Sequence, residues 1–349
     1  MRLAIWFSVL GMASVSFACA ARKPPPPAAP VSKASPELRA AVEKASACDY
    51  DDGNFDAECD GYKAWEGNTE LANAGLLEMM TNEDTKVRAL VVRKLSVQFT
   101  TDNADKESLE SYLTAAEQEK VVPIAKDFAR GLGNIDLGKF GLLDRGIAIA
   151  KAHSAAEYQE TFASTLASES EPDKVIAYAG ELAKSEDLAL RNAALGLFVA
   201  ATKTHGEAAC AGLDALRKDQ DAPLAQHATT HIARAGACAT QHDALLAEIE
   251  EMKLPKNPTA AEPHLGEVVQ SICENAGKTS EQRDRSLALA KQITETTKIQ
   301  GATRASTLAA VLACDTKGGP AYVKKFAKDK DPVVAERAKS LLEGAATKK

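Results

Sequence analysis

The stretch DPVVAERAKSLLEG, Asp331 to Gly344, decides how the rest of the chain is read. Asp331 can accept hydrogen bonds from the unpaired amides of a helix's first turn, and Pro332 suits the first helical position. Gly344 stands where a left-handed stop belongs. Between them Val334, Ala338, Leu341 and Leu342 fall at i, i+4, i+7 and i+8, which puts one apolar stripe on a short helix. A single stripe of this kind needs a neighbouring helix to cover it, so the search moves outward for copies.

A capping residue followed by apolar or small residues at +3, +7 and +11 recurs. Asp84 is followed by Val87, Val91 and Leu95; Asp187 by Leu190, Ala194 and Phe198; Asp221 by Leu224, Ala228 and Ile232. With Asp331 these four starts lie about one or three units of 34 to 37 residues apart, a spacing typical of helical repeats. Weaker copies begin at Gln118 (Val121, Ala125, Ala129), Ala155 (Tyr158, Phe162, Leu166) and Glu262 (Leu265, Val269, Cys273), while residues 296–313 fall out of register. Composition agrees: aromatics make up 5% of 349 residues, which suits packed helices better than a sandwich or barrel.

At these residues the chain resembles a HEAT-repeat protein, whose second helix typically opens with aspartate, often proline, then valine and arginine. Asp84, Val87 and Arg88 match, as do Asp187 and Arg191, and Asp331, Pro332 and Val334; Ala225 and Ala335 replace the arginine in two units. The resemblance spans roughly residues 80–344 and implies an all-α fold, a right-handed superhelical stack of antiparallel helix pairs, with protein–protein recognition as its use. An irregular helical bundle is the competing architecture.

The N-terminus reads as an address. Arg2 is a positive n-region, Leu3 to Val15 a short apolar run too short to span a bilayer, and small residues follow. Ala18 and Cys19 resemble the cleavage site of a bacterial lipoprotein signal, which implies a lipid on Cys19, although Ser16 stands where that family usually has an aliphatic residue. Ala18 and Ala20 also make a small-x-small site that would release a soluble periplasmic or secreted protein. Pro24 to Pro27 and Pro30 then form a polyproline spacer reaching roughly 50 Å from Ala20 to Ser35. The expected organisation is a signal peptide over 1–18 and a lipidated cysteine with linker over 19–35. A helical N-terminal piece follows over 36–79, with helices at Pro36 to Ala47 and Asp60 to Met79. Repeats occupy 80–252 and 268–349, separated by a proline-rich loop at 253–267. Gly131, Gly133, Gly138 and Gly141 mark a second soft place.

Seven cysteines leave six once Cys19 is set aside, an even number in a chain addressed for export. Clustering along the sequence favours Cys48 with Cys59, Cys210 with Cys238 and Cys273 with Cys314, among 15 formal pairings.

Chemistry-bearing patterns are few. The acidic loop 49–58 (Asp49, Asp51, Asp52, Asp56, Glu58) offers carboxylates suited to calcium, but the helix–loop–helix calcium spacing would put Cys48 in the first ligand position, so a solvated, disulfide-pinned turn competes with a metal site. His227 and His231 are four apart on a helix and could bind a metal with His242, without the glutamate a zinc protease needs. Gly131, Leu132, Gly133 and Asn134 imitate a phosphate loop, yet Asp136 replaces the third glycine and no strand precedes them. Trp65 reads as a core anchor. A net charge of −7 opposes general binding to nucleic acid or anionic headgroups. The expectation is a non-catalytic scaffold without cofactor, held to the outer membrane or elsewhere in the envelope by its N-terminal lipid and recognising an unidentified envelope protein. A periplasmic metal- or small-molecule-binding protein or enzyme, using residues 49–58 or His227 and His231, is the alternative.

Overall fold

The computed structural model describes residues 33–347 apart from 69–70, 167–169, 261, 263 and 277–279. The signal, Cys19, most of the proline spacer, Lys348 and Lys349 lie outside the described residues. Among the described residues the fold is all-α save for one two-stranded hairpin. The N-terminal part comprises α1 (Pro36–Ser46), β1 (Tyr50–Asp51), β2 (Asn54–Phe55), α2 (Asp60–Gly67) and α3 (Asn73–Met79). Helix pairs follow: α4 (Thr85–Gln98), α5 (Lys106–Gln118), α6 (Val122–Leu132), α7 (Leu143–Ala152), α8 (Ala156–Thr165), α9 (Pro172–Leu182) and α10 (Leu188–Ala201). The remainder is α11 (Gly206–Leu216), α12 (Ala222–Arg234), α13 (Ala239–Glu251), α14 (Leu265–Asn275), α15 (Glu281–Glu295), α16 (Gly301–Cys314), α17 (Gly319–Lys324) and α18 (Pro332–Thr347).

Even-numbered helices form one layer. From α6 to α18 each packs on the even helix before it, while odd helices lie alongside and pack on one another at α3–α5, α5–α7, α9–α11 and α13–α15. An even helix therefore has neighbours on three sides, which explains why α4 buries Val87, Ala89, Leu90, Val91, Val92 and Leu95 rather than one stripe. All four aspartate starts are N-caps: Asp84, Asp187, Asp221 and Asp331 accept the amides of Lys86, Ala189, Leu224 and Val333 at 2.8–3.0 Å. The stripe residues are buried, with Leu190 and Leu342 half-covered.

The weaker copies differ in register. The cap of α6 is Val121 instead of Gln118, and that of α14 is His264 instead of Glu262. Residues 60–79 form two helices, because the chain turns extended at Asn68 directly after Gly67. Gly344 does not stop α18. It stays helical, with open space where a side chain would sit, and the good helix formers Ala345 and Ala346 carry the turn onward. The expected loop 253–267 is shorter at its far end, since α14 already begins at Leu265; its described residues before that are irregular apart from a short 3-10 turn at Pro258–Ala260, and α12–α14 and α13–α15 contacts cross it. One apolar core runs from Ala34 to Tyr322, and a small second one, Ala305, Leu308, Val323, Val334 and Ala338, sits under α18.

Candidate interaction surface

A repeated ionic clamp joins three of the successive even-helix pairs, α4–α6, α10–α12 and α16–α18. Glu119, Asp219 and Asp329 each lie two residues ahead of the N-cap of α6, α12 or α18. Each accepts that capping residue's amide, Val121, Asp221 or Asp331, at 2.8–2.9 Å. Each also receives an arginine from the preceding even helix: Arg88 of α4 at 2.8 Å, Arg191 of α10 at 2.8 Å and Arg304 of α16 at 2.7 Å. Arg88 spends its remaining donors on the carbonyls of Asn82 and Glu83, and Arg191 on those of Ser185 and Glu186, so each guanidinium also closes the turn leading into its own helix. Burial pushes the Glu119 carboxyl up, but hydrogen bonds from Arg88 and the Val121 amide outweigh it and its pKa lies below the ordinary range. The Arg304 hydrogen bond likewise lowers that of Asp329. Arg88 and Arg191 belong to the repeat pattern, whereas the acids were missed. Their signal is present as Asp-x-Asp, Asp219 with Asp221 and Asp329 with Asp331.

Where alanine replaces the arginine, between α12 and α14, Arg234 pairs with Glu267 instead. Arg283 performs a related task at the far end: its guanidinium donates to the carbonyls of Cys273, Ala313 and Cys314, closing the C-terminal turns of α14 and α16.

Three disulfides fasten the same architecture, with the pairing that clustering favours. Cys48–Cys59 closes the hairpin segment, Cys210–Cys238 ties α11 to the 3-10 turn before α13, and Cys273–Cys314 ties α14 to α16, at Cα separations of 6.0, 5.5 and 5.3 Å. Such bonds suit an oxidising, exported setting. Among the described residues no helix is long and apolar enough to cross a membrane.

The acidic loop is the hairpin. Asp52 and Gly53 both take positive φ, 44° and 82°, the geometry of a tight primed turn, and the Asp-Gly dipeptide was its overlooked sequence signal. Gly53 lies against Pro123, where a Cβ would come within 2.6 Å, and its carbonyl accepts from Arg93 at 2.6 Å. Phe55 stacks on Tyr62, and Lys86 donates to the Cys48 carbonyl, so the hairpin is fixed against α4 and α6 with its carboxylates exposed.

The histidines do not converge. His242 is buried and donates through Nε2 to the Ile232 carbonyl at 2.8 Å; burial lowers its pKa. His227 is exposed on α12, and half-buried His231 is lowered by burial and by nearby Arg234 and His227. Among the described residues no three histidine, cysteine or acidic side chains stand close enough to hold a metal together. Gly131 sits inside α6, where Tyr112 Oη and Ser96 leave no room for a Cβ. Trp65 is buried, with the Lys94 ammonium 5.6 Å above its ring.

The turns that enter the even helices line up along one edge. Met80 to Glu83 and Gln118–Glu119 border a hollow of about 230 Å³, and Glu117 to Lys120 with Ile149, Ala152, His153 and Ser154 border the next, of about 540 Å³. Glu119 lies at both, so the clamp forms the partition between neighbouring hollows.

No known protein family matches the sequence, and no curated protein matches it. Among solved structures it is similar to two engineered proteins crystallised by the Northeast Structural Genomics Consortium. One is 18% identical over 88% of this chain and 84% of its own, with a TM-score of 0.41. The other is 15% identical over 78% and 97%, with a TM-score of 0.33.

Proposed function

We propose that the protein is an envelope-tethered, non-catalytic scaffold for protein–protein interaction, built from HEAT-like repeats in a right-handed superhelical stack. The observation that carries this reading is the clamp repeated at α4–α6, α10–α12 and α16–α18. It fixes one unit against the next, so a partner meets a row of hollows whose spacing is set before binding, and little ordering entropy is lost on contact. Lipid on Cys19 and the proline spacer would hold that row clear of the bilayer, in reach of another envelope protein. Crosslinking in envelope extract followed by purification tests the reading. A defined partner joined to residues of the 80–83, 117–120 or 152–154 turns is expected, and recovery of the chain alone under several mild detergents would overturn it. Fatty-acid-analogue labelling lost in Cys19→Ala tests the anchor; labelling absent from the unaltered chain would remove it.

A further inference from the structure

Among the described residues, exposed charges without an ion-pair partner occur along the whole stack, Lys184, Glu110 and Glu160 among them, but they gather by sign at its two ends. In the middle most arginines and several lysines have a carboxylate partner, as with Arg217 and Glu248, Arg285 and Glu250, and Lys174 and Asp144. At the C-terminal end Lys324, Lys325, Lys328 and Lys330 are all exposed on α17, the 3-10 turn after it (Lys325–Lys328) and the link to α18, and none has an acid within ion-pair distance among the described residues. The acids nearest in sequence are already engaged: Asp329 holds Arg304, and Asp331 caps α18. At the N-terminal end the reverse holds. Among the described residues Asp49, Asp51, Asp52 and Asp60 are exposed without a cationic partner, while Glu58 has one, Lys63. Each end is stiff. The hairpin is locked by its disulfide and by Arg93, and α17 is seated by Tyr322, whose ring lies 5.4 Å from both Lys291 and Lys325 and whose hydroxyl donates to Glu295.

We propose that the lysine face of α17 docks the acidic hairpin of a second copy, joining stacks head to tail. A net charge of −7 repels copies placed side by side and repels anionic surfaces, so the arrangement that brings opposite unpaired ends together is the one electrostatics selects. Each contact uses one end of each copy and leaves the opposite end free, so association continues past two copies instead of stopping at a two-fold dimer. This inference does not depend on the scaffold reading, because it concerns the two ends and not the hollows between them.

The test uses the full-length chain in one mild detergent, mixed from normal and heavy-isotope preparations. A zero-length carbodiimide, which joins a carboxylate to an amine in contact, should link Asp49–Asp60 peptides of one isotope to Lys324–Lys330 peptides of the other. Sedimentation should show mass rising with concentration at about 50 mM salt, and association at least about tenfold weaker near 0.5 M. Lys324→Glu/Lys328→Glu/Lys330→Glu and Asp49→Lys/Asp51→Lys should each abolish association alone, and an equimolar mixture should restore it, since each reversed end then meets its complement. Helical circular dichroism checks that the variants fold, and Lys→Gln replacements at the same three positions stand in if the reversed set does not. A chain that remains monomeric at low salt overturns the proposal, as does association that survives either reversal. Lysine-dependent pelleting with anionic vesicles by a monomeric chain would also overturn it and give the face to a lipid surface.

Discussion

Removing the carboxylate of the α10–α12 clamp with Asp219→Ala should be among the most destabilising single changes in the protein. The Arg191 and Asp219 side chains are 8% and 9% exposed, so surface screening gives little discount. The substitution strands a buried guanidinium that had donated through Nε at 2.8 Å and Nη2 at 3.3 Å, and it also removes the acceptor of the Asp221 amide. Breaking one side of a buried pair costs about 3–5 kcal/mol, so local opening of α10 and α12 should become about two to four orders of magnitude more frequent. Arg191→Met/Asp219→Ala leaves no stranded charge and should cost clearly less than the two single changes summed, by about 1 kcal/mol or more. Urea unfolding followed by helical circular dichroism gives the totals. Because stacked units need not unfold together, hydrogen exchange should place the loss in α10 to α12. If Asp219→Ala lies within about 0.5 kcal/mol of the unaltered chain, or if the single effects simply add, the clamp does not hold these units together.

Gly344→Ala should stabilise the protein by up to about 1 kcal/mol, since the residue is helical with free space around it; a loss in thermal unfolding would mean a left-handed stop there. Reduction of Cys210–Cys238, whose partners are 28 residues apart, should cost about 3–4 kcal/mol in the chain-entropy picture, read as a lower urea midpoint in Cys210→Ala/Cys238→Ala; an unchanged midpoint would make that bond incidental. His242 is held neutral by burial, so its folded pKa lies below the unfolded value of about 6.5, and it binds fewer protons folded than unfolded. Its contribution is therefore full above about pH 6.5 and declines as pH falls, at no more than about 1.4 kcal/mol per pH unit. His231 and His264 act in the same direction, so urea midpoints between pH 7 and 5 should fall less steeply in His242→Gln, and an identical slope would contradict the assignment.

Much of the fold was legible because repeats state one solution several times. Asp84, Asp187, Asp221 and Asp331 could be read as caps since a short carboxylate before an apolar stripe satisfies amides that otherwise go unpaired. Pairing of neighbouring cysteines followed from their clustering along the chain. Misreadings came where local and tertiary preferences compete. Gly344 carries a stop signal that the flanking alanines override, and Asp52–Gly53 carries a hairpin signal hidden among carboxylates that resemble metal ligands. At α6 the cap falls on Val121 instead of Gln118 and makes no side-chain bond, while Glu119 just before it accepts the Lys120 and Val121 amides and holds Arg88.

The acids of the clamp explain why the candidate surface was harder to read than the core. An apolar stripe announces itself within one helix, because burial constrains several residues at a fixed period. Asp219 and Asp329 have no such company: each looks like a turn residue until the preceding even helix is known to place an arginine against it, 28 and 25 residues away in sequence. The same logic applies with more force to the charged ends. Four lysines in the α17 region and four aspartates at the hairpin are each ordinary solvated residues taken locally. Their meaning comes from which neighbours lack an opposite charge to spare, and that depends on how Arg304, Asp329 and Asp331 have already committed their hydrogen bonds. Where function lies in what the fold leaves unpaired, it becomes readable only after the pairing has been worked out residue by residue.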